Sequence, residues 1–247
     1  MKIPLKMDNP TQNKGRLFLI PSPLGDYPPE EVIPAPVLEK AREMKKFVVE
    51  ETRTARRYLS AAGLRGHIQE LEFHELNEHT PESEVDKMRS LFDGGCDVGL
   101  ISEAGLPAVA DPGAVLVAKC HIWGIEVVPM VGPSSLMLAL MGSGLNGQSF
   151  SFVGYIPAKT DERRSALKNL EKRSSTLKQT ILFIETPYRN DSMIGDILSV
   201  CQGSTRLCIA ADLTTENAFI KTMTVAQWKK EVPTIGKRPC VFLLLAK

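Results

Sequence analysis

The residues best suited to hold a ligand fall in three short stretches rich in glycine, proline and small side chains. They are Pro21-Ser22-Pro23-Leu24-Gly25-Asp26, then Ser102-Glu103-Ala104-Gly105-Leu106-Pro107 with Asp111-Pro112-Gly113 close behind, and Val131-Gly132-Pro133-Ser134-Ser135. Loops of this composition offer unpaired backbone N–H groups and admit a ligand close to the chain. Each also reads as an ordinary strand-to-helix connection, the first as a surface loop braced by its prolines. Other chemistries find less support. No G-x-G-x-x-G follows the first strand and no G-K-[ST] loop is present, which argues against nicotinamide binding and nucleoside triphosphate hydrolysis. G-x-S-x-G is absent. His74-Glu75-Leu76-Asn77-Glu78-His79 gathers two imidazoles and two carboxylates, but its spacing matches no compact metal template, so no metal is expected. The five cysteines (Cys96, Cys120, Cys201, Cys208, Cys240) include no C-x-x-C pair. Reduced thiols in the cytoplasm fit that pattern.

Cations mark a second kind of chemistry. A formal net charge of +1 gives no global signal for nucleic acid, so any RNA contact must come from local patches. Arg53, Arg56 and Arg57 share or adjoin one face of a short helix; Arg53, next to a strand end, is the candidate for substrate contact, and Arg57 reads as solvated. Arg163, Arg164, Lys168, Lys172 and Arg173 lie on a longer helix. They offer a phosphate-binding face, or a solvated face partly neutralised by Glu162 and Glu171.

The elements that must position these residues follow from periodicity and boundary signals. Strands are expected at Arg16–Ile20, Phe47–Glu50, Ile68–His74, Asp97–Ser102 and Ile125–Met130. Helices are expected at 36–44, from Thr52 to Leu59, from Thr80-Pro81-Glu82 to Gly94-Gly95, from Asp111 (N-cap) and Pro112 to Gly124 (C′), and from Ser134 or Ser135 through Leu136–Met141. Strands alternating with helices imply a parallel sheet with helices on both faces. The three loops then share its carboxyl edge, where ligands bind in such sheets. Beyond Met141–Gly147 the pattern changes. Strands at Ser149–Tyr155, Thr180–Ile184, Leu207–Ala211 and Cys240–Ala246 mix with helices capped at Thr160 or Asp161, started at Pro187 and capped at Thr224. A second α/β domain with a mixed sheet is expected. The division is a loose tail over 1–14, a first domain over 15–130 and a second over 131–247. No apolar run approaches the about 20 residues of a membrane span.

Seven stretches in order resemble the tetrapyrrole-methylase-fold methyltransferases that use S-adenosylmethionine, and within them the bacterial 16S ribosomal RNA 2′-O-ribose methyltransferases. That branch carries PTPIGN, EDTRHT, SDAGTP…DPG, PGPSA, GFLP, YES-HR and ARELT. Here these stand as PSPLGD (Pro21–Asp26), EETRTA (Glu50–Ala55), SEAGLP…DPG (Ser102–Gly113), VGPSS (Val131–Ser135), GYIP (Gly154–Pro157), IETPYR (Ile184–Arg189) and AADLT (Ala210–Thr214). The resemblance runs from about Gly15 to the C-terminus.

The resemblance implies an S-adenosylmethionine-dependent methyltransferase that forms homodimers and acts on the ribose of small-subunit ribosomal RNA. It implies a cofactor site between the halves, built from Leu24, Gly25, Ser102, Glu103, Ala104, Gly105, Asp111, Gly132, Pro133, Ser134, Ser135, Ile184 and Ala210. Arg53, His74, Asn77, Arg163 and Arg164 are the substrate-binding candidates. Glu185 and Arg189 face the substrate, Glu185 as a base or as a strand-end carboxylate paired with Arg189. The chain departs from the branch at Ala211 and Thr215, where the branch has Arg and Lys. Asp212 replaces Glu, Glu103 and Asp26 replace Asp and Asn, and histidines are absent at Thr54–Ala55 and at Leu76. These losses fall on the RNA side, so two alternatives stand beside the first. One is a methyltransferase of the same fold acting on a tetrapyrrole or other small molecule, the other a cofactor-binding paralogue with little activity.

Overall fold

Five short strands set the first half of the chain. The computed structural model describes residues 14–247; all but the last residue of the expected tail lies outside the described residues. The strands are β1 (Leu17–Leu19), β2 (Lys46–Val49), β3 (Glu72–Glu75), β4 (Val98–Ile101) and β5 (Val127–Pro129). They form one sheet in the order β3-β2-β4-β1-β5, with every pairing parallel. Strands buried on both faces read as continuous apolar runs rather than alternations, and β4, Val-Gly-Leu-Ile, is wholly buried. Residues of alternate parity feed two cores. Phe47, Val49 and Ile101 pack with helices α1 (Ala35–Glu43) and α2 (Thr52–Leu59). Leu17, Val48, Val98 and Leu100 pack with α3 (Glu82–Lys87), the 3-10 turns after it, and α4 (Gly113–Trp123).

The second half is a mixed sheet. Strands β6 (Phe150–Tyr155), β7 (Thr180–Ile184), β8 (Arg206–Ala211), β9 (Phe219–Thr224) and β10 (Cys240–Leu245) lie in the order β6-β7-β10-β8-β9. Only β6 and β7 run parallel; the other pairings are antiparallel. Cys-Val-Phe-Leu-Leu-Leu of β10 is buried along its length because it occupies the middle of the sheet. Helices α5 (Ser135–Ser143), α6 (Thr160–Leu177), α7 (Asn190–Val200) and α8 (Val225–Trp228) complete this half. Among the described residues no helix is long and apolar enough to cross a membrane.

The chain divides into two compact units: residues up to Pro23 with Pro28–Pro133, and Leu24–Tyr27 with Ser134–Lys247. The sequence reading divides it at 130/131 and assigns Leu24–Tyr27 to the first half. These four residues go with the second unit because Tyr27 Oη bonds the Thr214 hydroxyl and the Leu24 N–H donates to Tyr27 Oη at 3.2 Å.

Several helix starts differ from expectation. Glu51, not Thr52, caps α2, accepting from the Arg53 and Thr54 N–H groups. Pro112, not Asp111, stands at the N-cap of α4, and Asp111 instead ties the preceding loop. Thr80 Oγ1 accepts from Asn77 N rather than capping α3, and α6 starts after Lys159 with no side-chain cap. Residues 68–70 form a 3-10 turn, leaving β3 to begin at Glu72. A 3-10 turn at Pro187–Arg189 precedes α7. Strand β9 has no counterpart in the sequence reading. By contrast, Gly124 closes α4 in the left-handed region, Ser134 caps α5, and Thr224 with Gln227 makes a full capping box at α8.

Gly132 is packed hard against the loop that follows β1. A Cβ there would lie 2.2 Å from Pro21 Cβ and 2.3 Å from Pro21 Cγ. Gly132→Ala should therefore push the loops after β1 and β5 apart and cost about 1–3 kcal/mol. Urea unfolding checks this, and an unchanged midpoint would refute the close packing of these loops.

Candidate functional site

In the first unit the parallel sheet brings the ends of β1, β2, β4 and β5 to one edge, and the loops there are cross-braced. Ser22 and Gly105 exchange both backbone hydrogen bonds, at 2.9 and 3.1 Å. Ser22 Oγ donates to the Ser102 carbonyl, and the Tyr58 hydroxyl donates to the Pro21 carbonyl at 2.8 Å. The Ser102–Gly113 loop is wound around one carboxylate. Asp111 accepts from the N–H groups of Ala108 and Gly113. This holds Ala108 and Ala110 at φ of 65° and 61°, a left-handed conformation that costs a residue with a Cβ.

Three carboxyls converge on this edge. Glu50 accepts from the Glu103 N–H at 3.3 Å. Burial, with the charges of Asp111 and Glu78, raises the Glu50 pKa. Burial, with the charges of Glu50 and Glu51, raises that of Glu103. Burial raises that of Asp111 against the bonds it accepts. Ser102 Oγ is buried and has no hydrogen-bond partner in good geometry; its effect on Asp111 works against the burial that raises that carboxyl. Crowded carboxyls beside an unpaired hydroxyl suit a polar ligand that carries positive charge.

Ser102, Glu103, Ala104, Gly105, Asp111, Gly132 and Pro133 thus belong to the first unit. Arg53 is exposed at the start of α2. His74 Nε2 meets Glu72 Oε1 at 2.6 Å. Asn77 is engaged in its own turn, its Oδ1 accepting from His79 N.

In the second unit Leu24 packs in the core with Leu136, Ile184, Ala210 and Leu213. Ala210 is fully buried, so its side chain is core rather than a wall for ligand. Gly25 sits against the Asp212–Thr215 turn; a Cβ there would be 2.8 Å from the Tyr27 ring and 2.9 Å from Thr215 Cγ2. Asp212 and Thr214 both have positive φ, 48° and 72°. Arg238 holds this turn, its Nε donating to Asp212 Oδ2 and its Nη2 to the Asn217 carbonyl, each at 2.5 Å. Ser134 Oγ accepts from Met137 N, and Ser135 begins α5.

Glu185 and Arg189 form the ion pair that was one of the two expectations. Arg189 Nη2 lies 2.5 Å from Glu185 Oε1, which also takes the Thr186 N–H. Glu185 Oε2 and Arg189 Nε are buried without partners. The basic helix corrects the substrate assignment. Arg163 is 4% exposed and its guanidinium is spent on Asp196 and the Ala158 carbonyl; Arg164 Nε is bound to the other Asp196 oxygen. A buried, paired guanidinium cannot reach a phosphate, so Arg163 is structural.

Burial pushes the Cys120, Cys201 and Cys240 thiols up to about 12, which makes these three poor nucleophiles. Among the described residues no cluster of three or more histidines, cysteines or carboxylates could hold a metal ion. Sequence reasoning missed Glu50, whose signal was its place at a strand end within EETR, and Arg238, which lies 26 residues from Asp212 with no local motif.

Comparison with known proteins gives the following. The chain is 31% identical over 93% of its length to the ribosomal RNA small subunit methyltransferase I of Pseudomonas aeruginosa, covering 78% of that protein. It is 32% identical over 89% of its length to the protein of that name from Vibrio cholerae serotype O1, covering 73% of it. No family model matches. Among solved structures it is similar to a conserved hypothetical protein from Aeropyrum pernix K1, with TM-score 0.67 and 12% identity over 95% of this chain and 85% of that one. It is also similar to the methyltransferase CobJ, with TM-score 0.60 and 14% identity over 94% of each chain. The uroporphyrin-III C-methyltransferase of Thermus thermophilus matches with TM-score 0.55 and 16% identity over 94% of this chain and 92% of that one. At these identities the likeness bears on the fold alone, and that fold is the tetrapyrrole methylase fold.

Proposed function

Because the chain belongs to the ribosomal RNA small subunit methyltransferase I family, we propose that it methylates a ribose 2′-hydroxyl of small-subunit ribosomal RNA, with S-adenosylmethionine as donor. The observation that carries the donor assignment is the carboxylate edge of the first unit, where Glu50, Glu103 and Asp111 all have raised pKa values beside the unpaired Ser102 hydroxyl. A cationic donor relieves that repulsion and partners the hydroxyl. When bound, S-adenosylmethionine supplies an electrophilic methyl group. The chain's own residues bind and orient, with Ser102–Gly105, Asp111, Gly132 and Pro133 of the first unit as a cross-braced cradle. Holding donor and acceptor in line supplies much of the rate of such a displacement. Arg53, His74 and Asn77 are proposed on the RNA side, with Glu185 Oε2 as acceptor for the proton of the ribose hydroxyl. The reading also includes a homodimer working in the cytoplasm, where the buried free thiols stay reduced.

Calorimetric titration with S-adenosylmethionine and S-adenosylhomocysteine tests the donor. Micromolar binding, about −8 kcal/mol, is expected, and absence of binding to both removes the enzyme reading. Labelled-methyl transfer to purified small ribosomal subunits then tests the acceptor.

Glu103→Gln separates stability from function at this edge. A carboxyl whose pKa is raised on folding holds its proton more tightly in the folded state. Its penalty is absent below about pH 4 and grows as pH rises through the raised value. The variant should therefore melt higher than the parent at pH 7, with the gap closing towards pH 4. It should also lose preference for the cationic donor over the neutral product. Equal melting curves together with an unchanged affinity ratio would refute this role for Glu103.

A further inference from the structure

The second unit carries an aromatic and cationic surface that none of the residues assigned above uses. Tyr188, in the 3-10 turn after β7, is 78% exposed. Lys237 Nζ lies 4.8 Å from the centre of its ring. The segment bearing Lys237 is fixed from beneath. Asn190 Nδ2 donates to the carbonyls of Gly236 at 2.9 Å and Arg238 at 2.7 Å. Asp191 Oδ1 accepts from the N–H groups of Ile235 and Gly236 at 2.8 and 3.1 Å. Arg238 follows directly, its fork aligned by Asp212 and the Asn217 carbonyl. At the base of the same turn Glu185 Oε2, Arg189 Nε and Asn190 Oδ1 are buried and unpartnered. Nearby anions are Asp191, Asp212 and Glu185, each already bonded to this chain. An exposed ring with a lysine ammonium at its face, carried on a segment whose backbone is pinned, is the arrangement that recognises an unstacked nucleotide, the base on the ring and the phosphate on the ammonium.

We infer that Tyr188 and Lys237 form an RNA contact site that stacks a base next to the methylated ribose and neutralises its phosphate. This rests on the RNA methyltransferase reading and deepens it. It returns to this chain the positive charge that the resemblance expects at positions 211 and 215, from a different segment.

The test is fluorescence anisotropy with a labelled single-stranded RNA of small-subunit ribosomal sequence, measured across a salt series. Parent, Tyr188→Ala, Tyr188→Phe and Lys237→Gln are compared, each also assayed for methyl transfer to small ribosomal subunits. Tyr188→Ala should weaken binding about tenfold, with Tyr188→Phe near the parent. Lys237→Gln should lower the slope of log K against log salt by about 0.7. Both should raise the KM for RNA with little change in kcat and unchanged affinity for S-adenosylmethionine. Parent-like affinity and salt slope in Tyr188→Ala and Lys237→Gln, with methyl transfer to the subunits intact, would overturn the inference and leave the family reading standing. A parent that neither binds nor methylates RNA but transfers methyl to a small molecule would overturn both.

Discussion

Asp196→Ala should destabilise the protein by about 3–5 kcal/mol, the range for removing one member of a buried charge group. Asp196 is 4% exposed and takes Arg163 Nε on one oxygen and Arg164 Nε on the other, both at 2.7 Å. Without it the Arg163 guanidinium keeps only the Ala158 carbonyl as partner among the described residues. Arg164→Ala should cost far less, about 1 kcal/mol or below, because its side chain is 47% exposed. Burial alone would raise the Asp196 pKa, but the hydrogen bonds and charges of Arg164 and Arg163 outweigh it and hold the carboxyl below its ordinary value. The sign follows. This stabilisation is present above the unfolded carboxyl pKa near 4 and is lost as pH falls through the lower folded value. Denaturant unfolding of the two variants at pH 7 and in acid measures it. Equal losses in both variants would refute the assignment of Asp196 as the centre of the group.

Glu185→Gln should lower kcat for methyl transfer by about a hundredfold or more, the usual contribution of a positioned base, while leaving the affinity for S-adenosylmethionine unchanged. The amide preserves the shape of the side chain and an acceptor for the Thr186 N–H. It removes the charge that faces Arg189 and the capacity of Oε2 to take a proton. If Glu185 only anchors Arg189, the variant would lose thermal stability and keep its turnover, which would sink the base assignment. Single-turnover transfer at saturating donor, read beside the melting temperature, distinguishes the two.

Much of the architecture was legible in the sequence because it depends on local signals. Apolar runs such as Val98–Ile101 and Cys240–Leu245 announce strands buried on both faces. Gly124 and the Thr224–Gln227 pair mark helix ends through interactions within a few residues. The loops at Pro21, Ser102 and Val131 could be placed on one sheet edge because parallel strands admit few connections. Strand β9 was missed because Phe-Ile-Lys-Thr-Met-Thr mixes polar and apolar residues and follows a turn held by Arg238.

What the tertiary structure alone decided are the partners. Arg163 and Asp196 are 33 residues apart and meet only because α6 lies beside α7, which turns an expected phosphate-binding cation into a core ion pair. Arg238 reaches Asp212 because β10 and β8 are neighbours. Glu50, Glu103 and Asp111 share one electrostatic environment only once β2 and β4 are paired. A charge acquires its pKa, its burial and its partner from groups distant in sequence, and no local pattern encodes that distance. The backbone loops of the candidate site could therefore be read residue by residue, while its electrostatics appeared only with the fold.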